Sequence, residues 1–284
     1  MSLLLLLPVS VGAQELPQTL ADSPAKRFDD LNKRFNKAAN GIWNAKTIED
    51  RKQRTTEVAV VTHELIALAE QNPSDPTAFS ALVATCNAAI SLENNTAYAV
   101  GGKNTPEQRA IAQLLRNHLQ NEQLDTACIR IGGGFSRECE QFLRRVSRES
   151  PHRNVRGTAC LKLAQLLYAR AQRLALIATR PDRAKRYESL FGKAFLDSLR
   201  RREPADAAGE YVALYEQAAR EYGDIAIPYQ GTVAEQVALE LNEIRRLAVG
   251  KPAPEIKGED QQGTPFKLSD YRGKVVLLYF WQHG

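Results

Sequence analysis

The chain has 284 residues, 43% hydrophobic and 25% charged, which is enough for two domains that each bury a core. This composition excludes an intrinsically disordered protein. The net charge of +5 is mildly basic, with basic and acidic residues interspersed, so no nucleic-acid partner is expected. The one dense basic stretch, from Arg180 to Arg186, is interpreted as a solvated helix face.

The N-terminus has the pattern of a secretory signal. An apolar run from Leu3 to Val11 is followed by small residues, with Ala13 placed for cleavage before Gln14. The run is too short to span a bilayer, which needs about 20 apolar residues. We therefore expect residues 1–13 to be a signal peptide and the mature protein to be exported, to the periplasm or another extracytoplasmic compartment, without a transmembrane segment.

From about Ser23 to Leu247 the apolar residues recur at spacings of three and four, which indicates helices. Helix starts are marked by Ser23, Thr47, Ser74 and Thr105, each a residue type that caps helices. A capping box of Thr232 and Glu235 marks the last helix. The prediction is a mainly α protein: an antiparallel array of about nine helices over residues 14–246, with one long helix expected from Ala184 to Arg200.

The four cysteines raise the question of disulfides, because an exported protein can form them. Cys86, Cys139 and Cys160 are in phase with apolar residues on helical faces, which favours buried, unpaired thiols. Cys128 lies near a predicted helix end, and the glycines that begin at Gly132 would let a hairpin bring it to Cys139. Two interpretations of Cys128 therefore stay open: a buried, unpaired thiol and a disulfide with Cys139. No Cys-x-x-Cys pair occurs in the chain.

The remaining polar motifs of the helical region favour structural roles. His63 and His118 have no metal ligand at a suitable spacing, and Gly132–Gly134 lack the Lys-Ser or Lys-Thr of a phosphate loop. In the stretch SPHRNVRGTAC, His152 is interpreted as an exposed first-turn residue and Gly157 as a point of close helix approach. No catalytic, cofactor-binding or metal-ligating residue is assigned, and no cofactor is expected.

The periodicity changes at Gly250. An extended piece near Glu255, a turn at Asp260–Gly263 and a returning arm at Phe266–Leu268 predict a β-hairpin. Ser269 is expected to cap a short helical turn that Gly273 ends. The apolar run Val275–Trp281 then predicts a strand covered on both faces.

Residues 247–284 resemble the opening of a redoxin domain, of the alkyl hydroperoxide reductase/thiol-specific antioxidant superfamily. That group contains thioredoxin-like thiol–disulfide oxidoreductases and peroxidases, and the resemblance covers about an eighth of the chain. The long helical domain more loosely resembles the leaders of certain exported bacterial redoxin proteins, especially through the stretch SPHRNVRGTAC. The residues that carry the main resemblance are Gly250, Pro252, Pro254, Gly263, Phe266, Leu268, Tyr271, Gly273 and Lys274.

The residues after the apolar run favour the thioredoxin-like branch. Gln282 follows Trp281 where the peroxidase branch usually has proline. In the register of the resemblance, position 285 holds the first cysteine of a Cys-x-x-Cys motif. The chain is therefore expected to be a fragment, cut before its catalytic cysteines and inactive as given. His283 is interpreted as an exposed loop residue, although a charged imidazole there would favour a neighbouring thiolate.

For the intact parent, the resemblance implies thiol or disulfide protein substrates and a redox donor. The competing hypothesis is a non-enzymatic helical interaction module, with its own protein partner and a vestigial redoxin-like tail. A second alternative is a peroxiredoxin-type peroxidase.

Overall fold

The computed structural model describes residues 23–95, 104–202, 204–247, 250–260 and 262–280, and the predicted signal peptide lies outside these ranges. The described residues are mainly α-helical, as the apolar periodicity predicts. Their α-helices are α1 Pro24–Trp43, α2 Ile48–Gln71, α3 Thr77–Asn95, α4 Pro106–Asn117, α5 Leu124–Ile131, α6 Arg137–Glu149, α7 Arg153–Ala178, α8 Pro181–Phe191, α9 Lys193–Arg200, α10 Pro204–Tyr222 and α11 Val233–Asn242.

Two differences separate these eleven helices from the nine expected. The short helix α5 is not among the nine helices expected, although Cys128 within it is predicted to lie near a helix end. The single helix expected from Ala184 to Arg200 is divided into α8 and α9 at Gly192, whose φ of +82° is left-handed and incompatible with a continuous α-helix.

The first compact unit contains the described parts of residues 1–121 and 181–196. Its consecutive helices α1 to α4 pack on one another. As predicted, Ser23 Oγ accepts a hydrogen bond from the Lys26 amide at 3.3 Å, and Thr47 Oγ1 accepts one from the Asp50 amide at 3.1 Å. The buried stripe of α2 includes Leu65, which is completely covered. Buried apolar faces therefore hold these helices together, and side-chain caps stabilise the first turns of α1 and α2.

The second unit contains the described parts of residues 122–180 and 197–284. Helices α5, α6, α10 and α11 all pack on α7, the long central helix. The predicted capping box starts α11, since Glu235 N–H donates to Thr232 Oγ1 at 3.2 Å and Thr232 N–H donates to Glu235 Oε2 at 2.7 Å. The core cluster of this unit is Cys160, Leu161, Ala164, Tyr215, Ala218, Ile225, Ile227, Val233 and Val237.

A buried ion-pair network also joins helices of the second unit. The Arg170 side chain on α7 is only 4% exposed and forms an ion pair with Glu140 on α6. Its Nη2 also donates to the backbone oxygens of Phe135 at 3.1 Å and Ser136 at 3.0 Å. Glu140 pairs in addition with Arg144 at 2.7 Å. Arg170 therefore holds both the loop before α6 and the first turns of that helix.

Two short antiparallel hairpins complete the described structure. β1 (Ala226–Ile227) pairs with β2 (Gly231–Thr232) between α10 and α11, and β3 (Lys257–Glu259) pairs with β4 (Pro265–Lys267) near the C-terminus. A π-helical turn (Glu243–Leu247) follows α11. None of the helices within the described ranges is long and apolar enough to cross a membrane.

Candidate functional site

The C-terminal segment begins with the predicted hairpin of β3 and β4. Its turn is organised by Asp260, whose Oδ1 accepts the amide protons of Gln262 at 2.9 Å and Thr264 at 2.8 Å. The Asp260 N–H donates in turn to the Thr264 carbonyl at 2.9 Å, and Gly263 takes a φ of +77°. A side-chain carboxylate that satisfies turn amides is the usual role of aspartate in such loops, so local chemistry determines this hairpin.

Residues just beyond β4 are held against the residues before β3. The Leu268 amide donates to the Ile256 carbonyl at 2.9 Å, and the Ser269 amide donates to Glu255 Oε1 at 3.0 Å. Hydrogen bonding from the Ser269 side chain, followed by that from the Ser269 amide, lowers the pKa of Glu255. The Lys267 amide donates to Asp270 Oδ2 at 2.9 Å. The hairpin and the following turn thus form one locally bonded element.

The expected cap at Ser269 is wrong. The helical turn is a 3₁₀ turn that starts at Leu268, so Ser269 lies inside it. Asp270 takes the capping role instead, since its side chain accepts a hydrogen bond from the amide of Lys267, the residue just before the turn. Gly273, with a φ of +82°, follows the turn, as predicted.

The apolar run after Lys274 lies uncovered. Val275, Leu277 and Tyr279 are 104%, 92% and 82% exposed, while Val276 and Leu278 are 42% and 46% exposed. The expected strand is not formed: residues 275–280 have no regular secondary structure, and no strand in the described ranges pairs with them. A β-strand exists through hydrogen bonds to a neighbouring strand, and these residues have none to pair with. Trp281, Gln282 and His283 lie outside the described residues.

All four cysteines are free and buried. The alternative of a Cys128–Cys139 disulfide is therefore wrong, and packing explains Cys128 as it does the other three. Ser136 Oγ donates to Cys139 Sγ at 3.2 Å, and burial raises the pKa of Cys160 to about 12. Thiols that are covered and hold their protons are poor nucleophiles, so these cysteines are structural.

The segment SPHRNVRGTAC forms the start of α7 and its contact with the end of α10. A Cβ added to Gly157 would lie 2.5 Å from Ile225 Cδ1, which confirms the predicted close approach. Arg153 forms two hydrogen bonds with Asp224, at 2.9 and 2.7 Å. His152, expected to be exposed, is half-buried. The motif is thus a packing element of the second unit.

Of the isolated histidines and glycines in the helical region, His118 and Gly132 pack against neighbouring side chains, whereas His63 is exposed. His118 lies against the Phe79 ring with 5.4 Å between centroids, and burial lowers its pKa. A Cβ on Gly132 would lie 2.9 Å from Lys162 Cβ, so this glycine allows α5 to approach α7 closely. Among the described residues, no group of three or more His, Cys, Asp or Glu side chains is arranged to hold a metal ion.

Comparison with curated proteins gave no match, and comparison with solved structures also gave none. A family model does match the C-terminal segment whose geometry is described above. Residues 249–284 match the model of the AhpC/TSA family, consistent with the first part of a redoxin domain after a helical region.

Proposed function

We propose that the protein is an exported thiol–disulfide oxidoreductase, in which a helical domain precedes a redoxin domain whose catalytic cysteines follow Gly284. The exposed run Val275–Phe280 carries this proposal. Six consecutive apolar residues are typical of a strand covered on both faces. Within the described structure all six are exposed, from 42% at Val276 to 104% at Val275. In a redoxin domain, further strands and helices would supply that cover.

The buried cysteines support a catalytic pair elsewhere in the protein. Disulfide exchange requires an accessible thiolate, usually at a helix N-terminus where its pKa is lowered, and a second thiol that resolves the mixed disulfide. Burial instead raises the pKa of Cys86, Cys128 and Cys160. A dithiol in the redoxin domain would reduce a substrate protein's disulfide to two thiols and become a disulfide itself. A thiol donor would then reduce it again.

The decisive experiment reads the gene beyond the codon for Gly284. We expect a cysteine at position 285 and a second cysteine three positions later. The extended protein should then catalyse the reduction of insulin by dithiothreitol, and replacing either cysteine by serine should abolish catalysis. A stop codon directly after Gly284 would overturn the proposal. A soluble, stable product of residues 14–248 that captures a defined partner would then favour the helical interaction module.

Peroxide reduction is the second candidate, because the matching family model is that of the AhpC/TSA family. The absence of proline after Trp281 favours disulfide exchange instead. The two activities are separable with the same extended protein, by following hydrogen peroxide consumption alongside insulin reduction. Peroxide consumption that depends on the first cysteine, without insulin reduction, would assign the peroxidase branch.

Export is part of the proposal and rests on the N-terminal sequence. The apolar run Leu3–Val11 and the small residues before Gln14 have the composition of a cleaved signal. We expect the mature protein to begin at Gln14 and to be recovered from the extracytoplasmic fraction. Intact-mass measurement of the purified protein tests this, and an uncleaved N-terminus in the cytoplasmic fraction would contradict it.

A further inference from the structure

A small cleft lies within the second unit, where α6, α7 and α10 meet. It has a volume of about 250 Å³ and is lined by eight residues of these three helices: Arg144, Ser147, Arg148, Cys160, Leu163, Leu214, Gln217 and Tyr222. Helix α7 packs on both of the others, and Arg144 on α6 bonds to Glu210 on α10 at 2.5 Å. The walls of the cleft therefore have fixed positions relative to one another.

One side of this cleft is apolar and uncharged. Cys160 and Leu163 on α7 are each only 2% exposed, whereas Leu214 on α10 is half-buried and so offers part of its side chain to the cleft. The Cys160 thiol keeps its proton, because burial raises its pKa to about 12, and it donates to the Leu214 carbonyl at 3.7 Å. A protonated thiol behaves as a small apolar group. The three residues thus form a surface suited to an aliphatic chain.

The other side of the cleft carries two arginines of α6 that differ in their partners. The Arg144 side chain bonds to both Glu140 and Glu210, at 2.7 and 2.5 Å, so its charge is compensated. Arg148, one turn further along α6, is exposed, and no residue of the described ranges forms a hydrogen bond or an ion pair with its side chain. Its position in the last turn of α6 is favourable for a cation but leaves the guanidinium group unpaired. Arg148 is therefore the cation that this cleft offers to a ligand.

Glu221 is the acidic residue that acts electrostatically on Cys160, and it does not neutralise Arg148. Its carboxylate accepts a hydrogen bond from Gln217 at 3.1 Å and pairs with Arg220 at 3.2 Å. Because Glu221 is exposed and already bonded to these two side chains, an anion beside Arg148 would meet little repulsion from it.

We propose that this cleft, hereafter the Arg148 cleft, binds a small aliphatic monocarboxylate. The guanidinium group of Arg148 would hold the carboxylate through two parallel hydrogen bonds, a geometry to which arginine is suited. The aliphatic chain would lie on Cys160, Leu163 and Leu214. The volume of the cleft equals that of about eight water molecules, so hexanoate, with a similar number of non-hydrogen atoms, has a suitable size. The apolar side favours this class over inorganic phosphate, whose surface is polar throughout. The site is separate from the dithiol of the proposed redoxin domain and adds a second binding function.

Isothermal titration calorimetry of the full chain with straight-chain acids from propanoate to octanoate tests the proposal. We expect the affinity to rise about fourfold for each methylene group buried, and to level off near hexanoate as the cleft fills. Hexan-1-ol has the same chain without the charge, and inorganic phosphate has charge without the chain. Both should bind about fivefold or more weakly than hexanoate, because each lacks one half of the interaction.

Variants at both ends of the cleft locate the site. Arg148→Gln should weaken hexanoate binding about fivefold, as expected for a charge pair near the surface. Arg145→Gln is the matched control, because it removes a cation of the same helix that is paired with Glu149, and it should bind as the unmodified chain does. Leu214→Ala should weaken the binding of hexanoate more than that of propanoate. All three variants keep the exposed run Val275–Phe280, so a difference between them cannot come from acids bound there.

Several results would each overturn the proposal. They are equal loss of binding in the two arginine variants, an affinity that does not change with chain length, hexan-1-ol or phosphate binding as tightly as hexanoate, and no detectable binding at millimolar hexanoate.

Discussion

Gly157 on α7 lies against Ile225, close enough that a Cβ at position 157 would be 2.5 Å from Ile225 Cδ1. One turn earlier on the same face, Arg153 holds Asp224 through two hydrogen bonds. Nearly one turn later, Cys160 Sγ donates to the Leu214 carbonyl at 3.7 Å. At these three positions the start of α7 contacts α10 and the residues that directly follow it. This packing explains the sequence at the start of α7.

Substituting Gly157 with alanine should destabilise the second unit. The added methyl group would overlap Ile225 and Tyr222 Cβ, at 2.5 and 2.8 Å, and the helices would have to separate. We expect a loss of about 1–3 kcal/mol in the free energy of unfolding, measured by urea denaturation. Gly209→Ala on α10 is the control: with no neighbouring atom within 4 Å, it should stabilise by about 0.5–1 kcal/mol. Equal effects from the two substitutions would rule out the packing explanation.

Arg170→Met tests the buried ion-pair network. The substitution leaves the Glu140 carboxylate without its most buried partner and removes the donor to the Phe135 and Ser136 carbonyls. Breaking a buried pair by removing one partner costs about 3–5 kcal/mol of stability. Arg145→Met, on a pair with Glu149 in which each side chain is 46% exposed, should cost at most about 1 kcal/mol. Urea denaturation of both variants makes the comparison, and similar losses would show that the Arg170 network contributes little.

The same network should make stability depend on acid pH. Burial raises the pKa of Glu140, but the neighbouring Arg170 and Arg144 outweigh it and hold the pKa below its ordinary value of 4.5. Because the pKa is lower in the folded state, the ionised carboxylate stabilises the fold above about pH 4.5, and this contribution is lost as the pH falls through the folded pKa. We expect the stability difference between the unmodified chain and Glu140→Gln to narrow on acidification. Unfolding free energies from about pH 7 to about pH 3 test this, and a constant difference would contradict it.

Local chemistry in the sequence explains which helices could be predicted. Thr232 and Glu235 form a capping box in the structure because both partners lie within one helical turn. Helix α5 was missed because it is short and its N-cap, Gln123, makes no side-chain cap hydrogen bond. The break at Gly192 depends on a positive φ, and sequence alone does not show whether a glycine adopts one.

Features that depend on distant partners could not be predicted. The pattern of apolar residues predicts an exposed side chain for a charged residue such as Arg170. Its partner Glu140 lies 30 residues away in the sequence. Conversely, Val275–Phe280 has the composition of a buried strand, but a strand also needs neighbours with which to form hydrogen bonds. The composition of Val275–Phe280 therefore predicts a strand. The described structure shows these residues without neighbouring strands to which they could form hydrogen bonds.

The cysteines should be unreactive in the folded protein. Cys86, Cys128, Cys139 and Cys160 are all buried, and burial raises the pKa of Cys160 to about 12. We expect a thiol reagent such as Ellman's reagent to label none of them rapidly in the native chain and all four after denaturation. The number of thiols found in denaturant should be the same with and without prior reduction. A lower number without reduction would reveal a disulfide and contradict the free thiols seen here.

The exposed apolar run should drive self-association of the chain, because an uncovered, uncharged apolar segment can pair with another copy. Leu277→Lys, at a position 92% exposed, places a charge in the middle of the run and should raise the soluble monomer fraction. Ile48→Lys is the control, since Ile48 is similarly exposed, at 89%, but lies in α2, away from any such run. Sedimentation velocity of the three proteins measures the monomer fraction. An unmodified chain that stays monomeric at high concentration would show that the run is covered in solution, and would remove the observation that carries the proposed redoxin domain.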